Sequence, residues 1–254
     1  MTHSGIFRRI SWHWARRCGF TVLDRVPRGL DLFHDMRTAL GMKGAITAFD
    51  VGANVGLWTA DLLKAFPDAR VRCFEPNPEL HDVLAANLPP GSDHAISQDA
   101  LSDFEGDVSF VLTEEPTIGY VQDGARSHAG VEPKRTVTVR ATTLDTYCKD
   151  NGIDAIDILK IDTEGADLKV LAGARDTLER GIVRLVECEC GVDPDNDFHV
   201  PLGQIADFLE PIGFRLFGIY EQQPEWTTGQ PHLRRVNAVF LLNDTPHDLA
   251  HGEE

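Results

Sequence analysis

The chain is short of the features that mark several large function classes. Its five cysteines, an odd number among 254 residues, have no repeating spacing. That argues for reduced thiols rather than a disulfide framework, and so for an intracellular, cytoplasmic protein. No apolar run approaches the ~18 residues that a membrane span requires. Met1–Ser11 carries arginines without a long apolar stretch, so no signal peptide is expected. Cysteine and histidine pairs at zinc-binding spacing are missing, and no metal site is expected on that ground. The Gly-x-Gly-x-x-Gly fingerprint is also missing, and none of Tyr120, Tyr147 and Tyr220 has a lysine four residues on. An NAD(P)-dependent sugar-modifying enzyme, the rival α/β reading, therefore lacks both of its marks.

Positive charge is scarce too, and unevenly spread. The formal net charge is −16, yet Met1–Arg28 holds six arginines (Arg8, Arg9, Arg16, Arg17, Arg25, Arg28) against the single acid Asp24. That segment is +5, which leaves −21 for the rest and excludes nucleic acid as the main partner of the body. Ile6, Phe7, Ile10, Trp12 and Trp14 are interleaved with the arginines. This pattern suits an extension packed on its own domain or partly disordered, with contact to an anionic membrane surface or an anionic substrate as the less favoured alternatives. The boundaries read as a basic and helical extension over 1–41, one α/β domain over 42–246, and a frayed tail over 247–254.

What is present is an alternation of strand and helix patterns. Leu30–Leu40 has helical spacing and ends at Gly41. Ile46–Val51, Arg70–Phe74 and His94–Ser97 read as strands. Between them lie helices over Leu57–Phe66 and Glu79–Leu88, the second opened by Pro78. Asp107–Leu112 and Thr136–Arg140 alternate like paired strands around a long polar loop, Thr113–Arg135, and form a β-hairpin insertion. A short helix over Thr143–Lys149 precedes the apolar strand Ile156–Ile161. Ala166–Arg180 reads as one amphipathic helix, Ile182–Glu189 as a strand, Leu202–Glu210 as a helix. Phe214–Ile219 and Val236–Leu242 close the chain as an antiparallel hairpin. Such alternation implies a mostly parallel sheet covered on both faces.

Ligands of such sheets bind beyond the carboxyl ends of the strands, and acids stand at five of these ends. Asp50 precedes the loop Gly52-Ala53-Asn54-Val55-Gly56, Glu75 ends the second strand, and Asp99 follows the third. Asp162 and Glu164 follow the fourth, and Glu187 and Glu189 lie on the fifth. Glu75, 19 residues after Gly56, suits the two hydroxyls of a ribose, with an N-cap as its bland alternative. Asp99-Ala100 suits an adenine amino group and ring, with a turn as the alternative. A loop without phosphate-type glycines, next to these acids, describes a nucleoside whose other end is an amino acid.

These blocks, DVGANVG, FEPNP, ALSD and LKIDTEGADLKVLAGA, followed by an acid-bearing strand, resemble the FkbM family of S-adenosylmethionine-dependent methyltransferases over about Leu30–Leu242. The resemblance implies an α/β class I methyltransferase (Rossmann-like) fold, a seven-stranded sheet with the last strand antiparallel. It implies O-methylation of a hydroxyl, commonly of a sugar in a polysaccharide, glycolipid or glycosylated natural product, or of a polyketide. It implies that Asp50, Gly52, Asn54 and Gly56 hold the methionine part of the cofactor, and that Glu75 holds the ribose with Asn77 nearby. Asp99, Ala100 and Ser102 would border the adenine, and Asp162 would mark the reaction centre.

A sugar hydroxyl is a weak nucleophile, so a general base is expected to contribute ~10²–10⁴-fold. Asp162 is the first candidate, followed by Glu164 and Glu187. A divalent metal held by these carboxylates is the less favoured alternative. His199, in a polar loop, reads as solvated surface more readily than as a base. A non-catalytic cofactor-binding module is a further alternative. Small-molecule or glycan acceptors are the expected partners.

Overall fold

The computed structural model describes residues 17–18, 26–122 and 131–243. Most of the basic, tryptophan-containing segment, part of the long polar loop and the tail lie outside the described residues. Seven strands form one sheet in the order β10-β11-β9-β8-β1-β2-β3. They are β1 Thr47–Val51, β2 Arg70–Phe74, β3 Asp93–Ser97, β8 Ile156–Ile161, β9 Val183–Gly191, β10 Phe214–Pro224 and β11 Leu233–Leu242. The first five named are parallel, while β11 runs antiparallel to both β9 and β10. This is the class I methyltransferase topology. The strand order reverses beside β1, which places a ligand crevice beyond the ends of β1 and β8.

One face of the sheet carries α1 (Leu32–Thr38), α2 (Leu57–Ala65) and α3 (His81–Asn87). Its core joins Leu32 and Met36 to Ala48, Leu62, Val71, Leu84, Ile158 and Tyr220. The other face carries α4 (Leu144–Asn151), α5 (Asp167–Ala172), α6 (Arg175–Glu179) and α7 (Leu202–Leu209) over Phe49, Leu159, Val186, Cys188 and Cys190. Strand alternation explains why Cys188 and Cys190 are buried in this core while Glu187 and Glu189 point to the opposite face. All five cysteines are free. Among the described residues, no helix is long and apolar enough to cross a membrane.

Two elements depart from the sequence expectation. The single helix expected over Ala166–Arg180 is divided into α5 and α6 at Gly173-Ala174. A Cβ on Gly173 would fall 1.9 Å from the Ser102 carbonyl oxygen, so the break lets the chain pass closely under the end of the strand pair at Ala100–Leu101. The helix expected from Glu79 begins instead at His81, because the Asn77 side chain accepts the Glu79 N–H and holds a turn.

The stretch after β3 forms a second sheet, ordered β4-β7-β5-β6. Its strands are β4 Ala100–Leu101, β5 Gly106–Thr113, β6 Gly119–Val121 and β7 Pro133–Thr142. β5 pairs antiparallel with β7 on one edge and with β6 on the other. Glu79, just before α3, accepts from Lys134 (2.9 Å) and Arg135 (2.8 Å) of β7, which ties this sheet to the main one.

Candidate active site

The loop after β1 is shaped by backbone sterics. Gly52, Asn54 and Gly56 all have positive φ. A Cβ on Gly52 would lie 1.9 Å from the Asp162 carbonyl oxygen, so only glycine lets the loop cross the end of β8. Gly56 opens α2, and a Cβ there would meet Leu84 at 2.6 Å. It packs against α3 and does not line the crevice.

Above the loop is a cavity of about 620 Å³, counted with the solvent space at its mouth. Gly52, Asn54, Glu75, Asn77, Asp99, Ala100, Asp162 and Glu164 line it, with Phe74, Leu80 and Leu101 as apolar walls. Eight of the twelve residues singled out for cofactor and reaction centre on sequence grounds therefore meet in one place, all but Asp50, Gly56, Ser102 and Glu187. Glu75 is nearly fully buried. Its two oxygens accept from the Asn54 N–H (2.7 Å) and the Asn77 N–H (2.8 Å). Burial pushes its carboxyl above the ordinary range, and the two backbone N–H groups oppose that shift. Asn54 Oδ1 is buried without a donor, and it suits the ammonium of an amino-acid moiety.

Four expected site residues stand elsewhere. Asp50 is fully buried beneath the loop, where it accepts from Thr59 Oγ1 (2.6 Å) and pairs with Lys160 Nζ (3.0 Å). Ser102 does not reach the cavity; its hydroxyl points to Asp103 and its backbone carries Gly173. Gly56 is the packing residue already described. Glu187 is held on the α2 side by Trp58 Nε1 (2.9 Å) and Asn237 Nδ2 (3.2 Å), and it lines a different depression, beside Trp58 and Tyr220.

Register explains this arrangement. Asp50 is opposite Lys160, and Lys160 is opposite Glu187, so the middle of the sheet carries a buried row of alternating charge. Burial works against the charge on Lys160, but Asp50 and then Asp162 more than offset it and raise its pKa. Lys160 Nζ also lies 3.3 Å from Asp162 Oδ2 and donates to the Gly52 carbonyl at 3.0 Å. It thus fixes both sides of the crevice. Sequence reasoning passed over it; the signal was a lysine inside the apolar run IDILKI.

A second, larger cavity adjoins the first. Asn54, Thr117, Asp162 and Glu164 line both, so these four residues form their common wall. The larger one also takes in Glu189, Asp197, Phe198, His199, Trp226, Arg234 and Arg235. Glu164 has φ +53, which turns its side chain back towards this wall from the start of α5. Burial, then the neighbouring Asp162 and Asp167 carboxylates, push its carboxyl up to about 8.

His199 is not solvated surface. It is buried, with Nε2 2.8 Å from Glu189 Oε2 and Nδ1 beside the Asn196 side chain. Arg235 pairs with the other oxygen of Glu189. Ligand atoms of Glu164, Glu189 and His199 lie within 4.8 Å of one another, a donor set with cation-like spacing that the sequence spacing did not reveal.

The roof over both cavities is the segment between β5 and β6. Asn54 Nδ2 donates to the Thr117 carbonyl (2.7 Å) and Asn77 Nδ2 to the Pro116 carbonyl (3.1 Å). Phe110, Gly119 and Val121 close the smaller cavity.

Residues 50–216 match the family described as the methyltransferase FkbM domain. The chain belongs to the FkbM methyltransferase family. It is 26% identical over 224 residues to the 2-O-methyltransferase NoeI of Sinorhizobium fredii, covering 84% of this chain and 88% of that one. It is 26% identical over 225 residues to the 31-O-demethyl-FK506 methyltransferase FkbM of Streptomyces tacrolimicus (78% and 82% covered). The hexuronic acid methyltransferase AglP of Haloferax volcanii is 30% identical over 148 residues (58% and 57% covered). The protein is an S-adenosylmethionine-dependent O-methyltransferase, and the nucleoside-shaped crevice fits that cofactor.

Proposed function

We propose that this FkbM methyltransferase methylates a sugar hydroxyl, with the cofactor in the smaller cavity and the acceptor in the larger. The observation that carries this reading is the common wall of Asn54, Thr117, Asp162 and Glu164. Two ligands that must touch need two cavities that meet. Bound S-adenosylmethionine supplies an activated methyl on a positively charged sulfur. The chain's own residues orient and deprotonate. Glu75 takes the ribose hydroxyls, Asn77 supports it, and Asp99 with Ala100 borders the adenine. Asn54 and the Gly52 backbone take the amino-acid end.

Of the carboxylates considered as the base, Glu164 is best suited. Asp162 is committed to Lys160, which favours a positioning role, and Glu187 faces the other depression. Glu164 lines both cavities, and a carboxyl pushed up to about 8 is a stronger base than an ordinary one. Its Oε atoms accept the hydroxyl proton as the acceptor oxygen attacks. Two named relatives favour a sugar: one carries hexuronic acid in its name and another 2-O-methylation.

Calorimetric titration with S-adenosylmethionine and with NAD tests the cofactor assignment; binding of NAD alone would sink it. Glu164→Gln tests the base. Turnover should fall ~10²–10⁴-fold with cofactor affinity unchanged, and undiminished turnover removes Glu164 from that role.

A further inference from the structure

We propose that Trp226 is a stacking platform for a neutral pyranose, and that the acceptor cavity selects against uronic acids. This inference rests on the sugar reading above and narrows it.

Trp226 lines the acceptor cavity and is 58% exposed, so its indole stands at the rim. A single exposed apolar side chain needs no explanation on a soluble protein. This one differs in how it is seated. It occupies the turn between β10 and β11, and the preceding Glu225 is buried. Glu225 accepts from Arg234 Nη1 (2.7 Å) and from the N–H groups of Thr227 and Thr228. The Arg234 hydrogen bond, aided by those N–H groups, holds its carboxyl down at about 2. The Arg234 guanidinium also lies over the indole, 5.1 Å from the ring centroid. The turn is thus held by Glu225, and the same Arg234 that Glu225 binds lies over the indole.

The rest of the cavity supplies the complement. Phe198, Ile118 and Val131 add apolar wall, and Asp162, Glu164, Glu189 and Asp197 supply acceptors for hydroxyl groups. A pyranose has this character, with a face of C–H bonds and an edge of hydroxyls. An extended apolar polyketide would set C–H groups against these acids, of which Glu189 is buried.

The charges refine the choice. Among the described lining residues, Arg234 is paired with Glu225 and Arg235 with Glu189, and the His199 ring also lies against Glu189. A sugar carboxylate would have to displace Glu225 or Glu189 from its arginine to find a cation among these residues, whereas a neutral sugar would not. Weaker acceptance of a uronate than of a neutral sugar is the expected result.

The test measures transfer from radiolabelled S-adenosylmethionine to cellotetraose, maltotetraose, mannotetraose and chitotetraose, against tetragalacturonic acid. The expected result is transfer to one or more of the neutral oligosaccharides and weaker transfer, or none, to the uronate. For the best acceptor, Trp226→Ala should raise KM about tenfold with kcat within twofold. Trp226→Phe should recover most of the loss, and cofactor affinity should be unchanged in both. Transfer to the uronate that equals or exceeds that to every neutral oligosaccharide, or an unchanged KM in Trp226→Ala, overturns this inference and leaves the sugar reading intact. Transfer to none of the five overturns the sugar reading and this inference with it.

Discussion

The two cavities share a wall but are built in opposite ways. The cofactor cavity is assembled from consecutive strand ends: the loop after β1, Glu75 after β2, Asp99 after β3 and Asp162 after β8. Its key contacts run from backbone N–H groups to one carboxylate, and its tightest requirement is a missing Cβ. The acceptor cavity draws on segments around Thr117, Glu164, His199, Trp226 and Arg235, far apart in the chain. Its contacts are side chain to side chain. The first is a site that the topology dictates, because strand ends in a parallel sheet lie together whatever the side chains are. The second depends on what the insertion sheet and the β10–β11 turn bring, which is where relatives on one scaffold are free to differ.

Lys160 lies under both cavities, so its loss should erase the distinction. Lys160→Ala leaves Asp50, Asp162 and Glu187 without their shared cation. Removing one partner of a buried pair costs about 3–5 kcal/mol, so a large fall in Tm is expected in thermal denaturation. A wild-type Tm would refute the importance of the row.

Substitutions on either side of the wall should then separate the two functions. Gly52→Ala adds both a clash with the β8 carbonyl and a positive-φ penalty. Calorimetry should show cofactor affinity reduced at least ~100-fold, in proportion to a few kcal/mol of distortion. Glu75→Ala strands the Asn54 and Asn77 N–H groups at ~1–3 kcal/mol. It should weaken the cofactor by about tenfold or more while the acceptor KM, measured at saturating cofactor, stays near wild type.

Glu164 offers a sharper separation through pH. Its carboxyl is raised to about 8, so the ionised base becomes available as pH rises through that value. The rate should climb over that limb, and the limb should vanish in Glu164→Asn. Stability should move the other way. The folded state binds this proton more tightly than the unfolded chain, whose carboxyl has a pKa near 4.5. Stability therefore falls as pH rises from about 4.5 towards 8, and stays low above it. Glu164→Gln should accordingly raise Tm at pH 9, by about 2–4 °C for each kcal/mol of relief. The smallest effect should belong to Asn77→Ala, which removes one bond to the roof and one to the Glu79 N–H; cofactor release followed by stopped flow should quicken a few-fold.

The same contrast explains what could be read in the chain. Glu75 and Asp162 were legible because each follows an apolar run, and Asp99 because it follows a strand pattern; the position of a strand end follows from the pattern itself. Asp50 was legible as a residue but not in its role. Register with Lys160 decides that it faces down into the sheet, and register is a property of paired strands, not of one segment. Gly56 and Ser102 belong to recognisable blocks, yet their neighbours, Leu84 and Gly173, come from other elements. His199 looked like loop surface because Asn196, Glu189 and Arg235 enclose it from two segments. Gly173 hid the break in the Ala166–Arg180 helix, since an isolated glycine is tolerated in a helix and only the Ser102 backbone reveals its purpose. Trp226 carried a weak signal, an aromatic in a polar Pro- and Gly-bounded turn, and the resemblance had nothing to say about it.

Asn54 holds the roof with one end of its amide, and the other end is buried without a donor. Anything that binds Oδ1 therefore acts on the hinge of a segment that also bounds the acceptor's space. If the two cavities hold cofactor and acceptor as proposed, their affinities are coupled, because Asn54 belongs to the walls of both. By linkage the dependence is reciprocal: whatever factor the cofactor imposes on acceptor affinity, the acceptor returns to the cofactor.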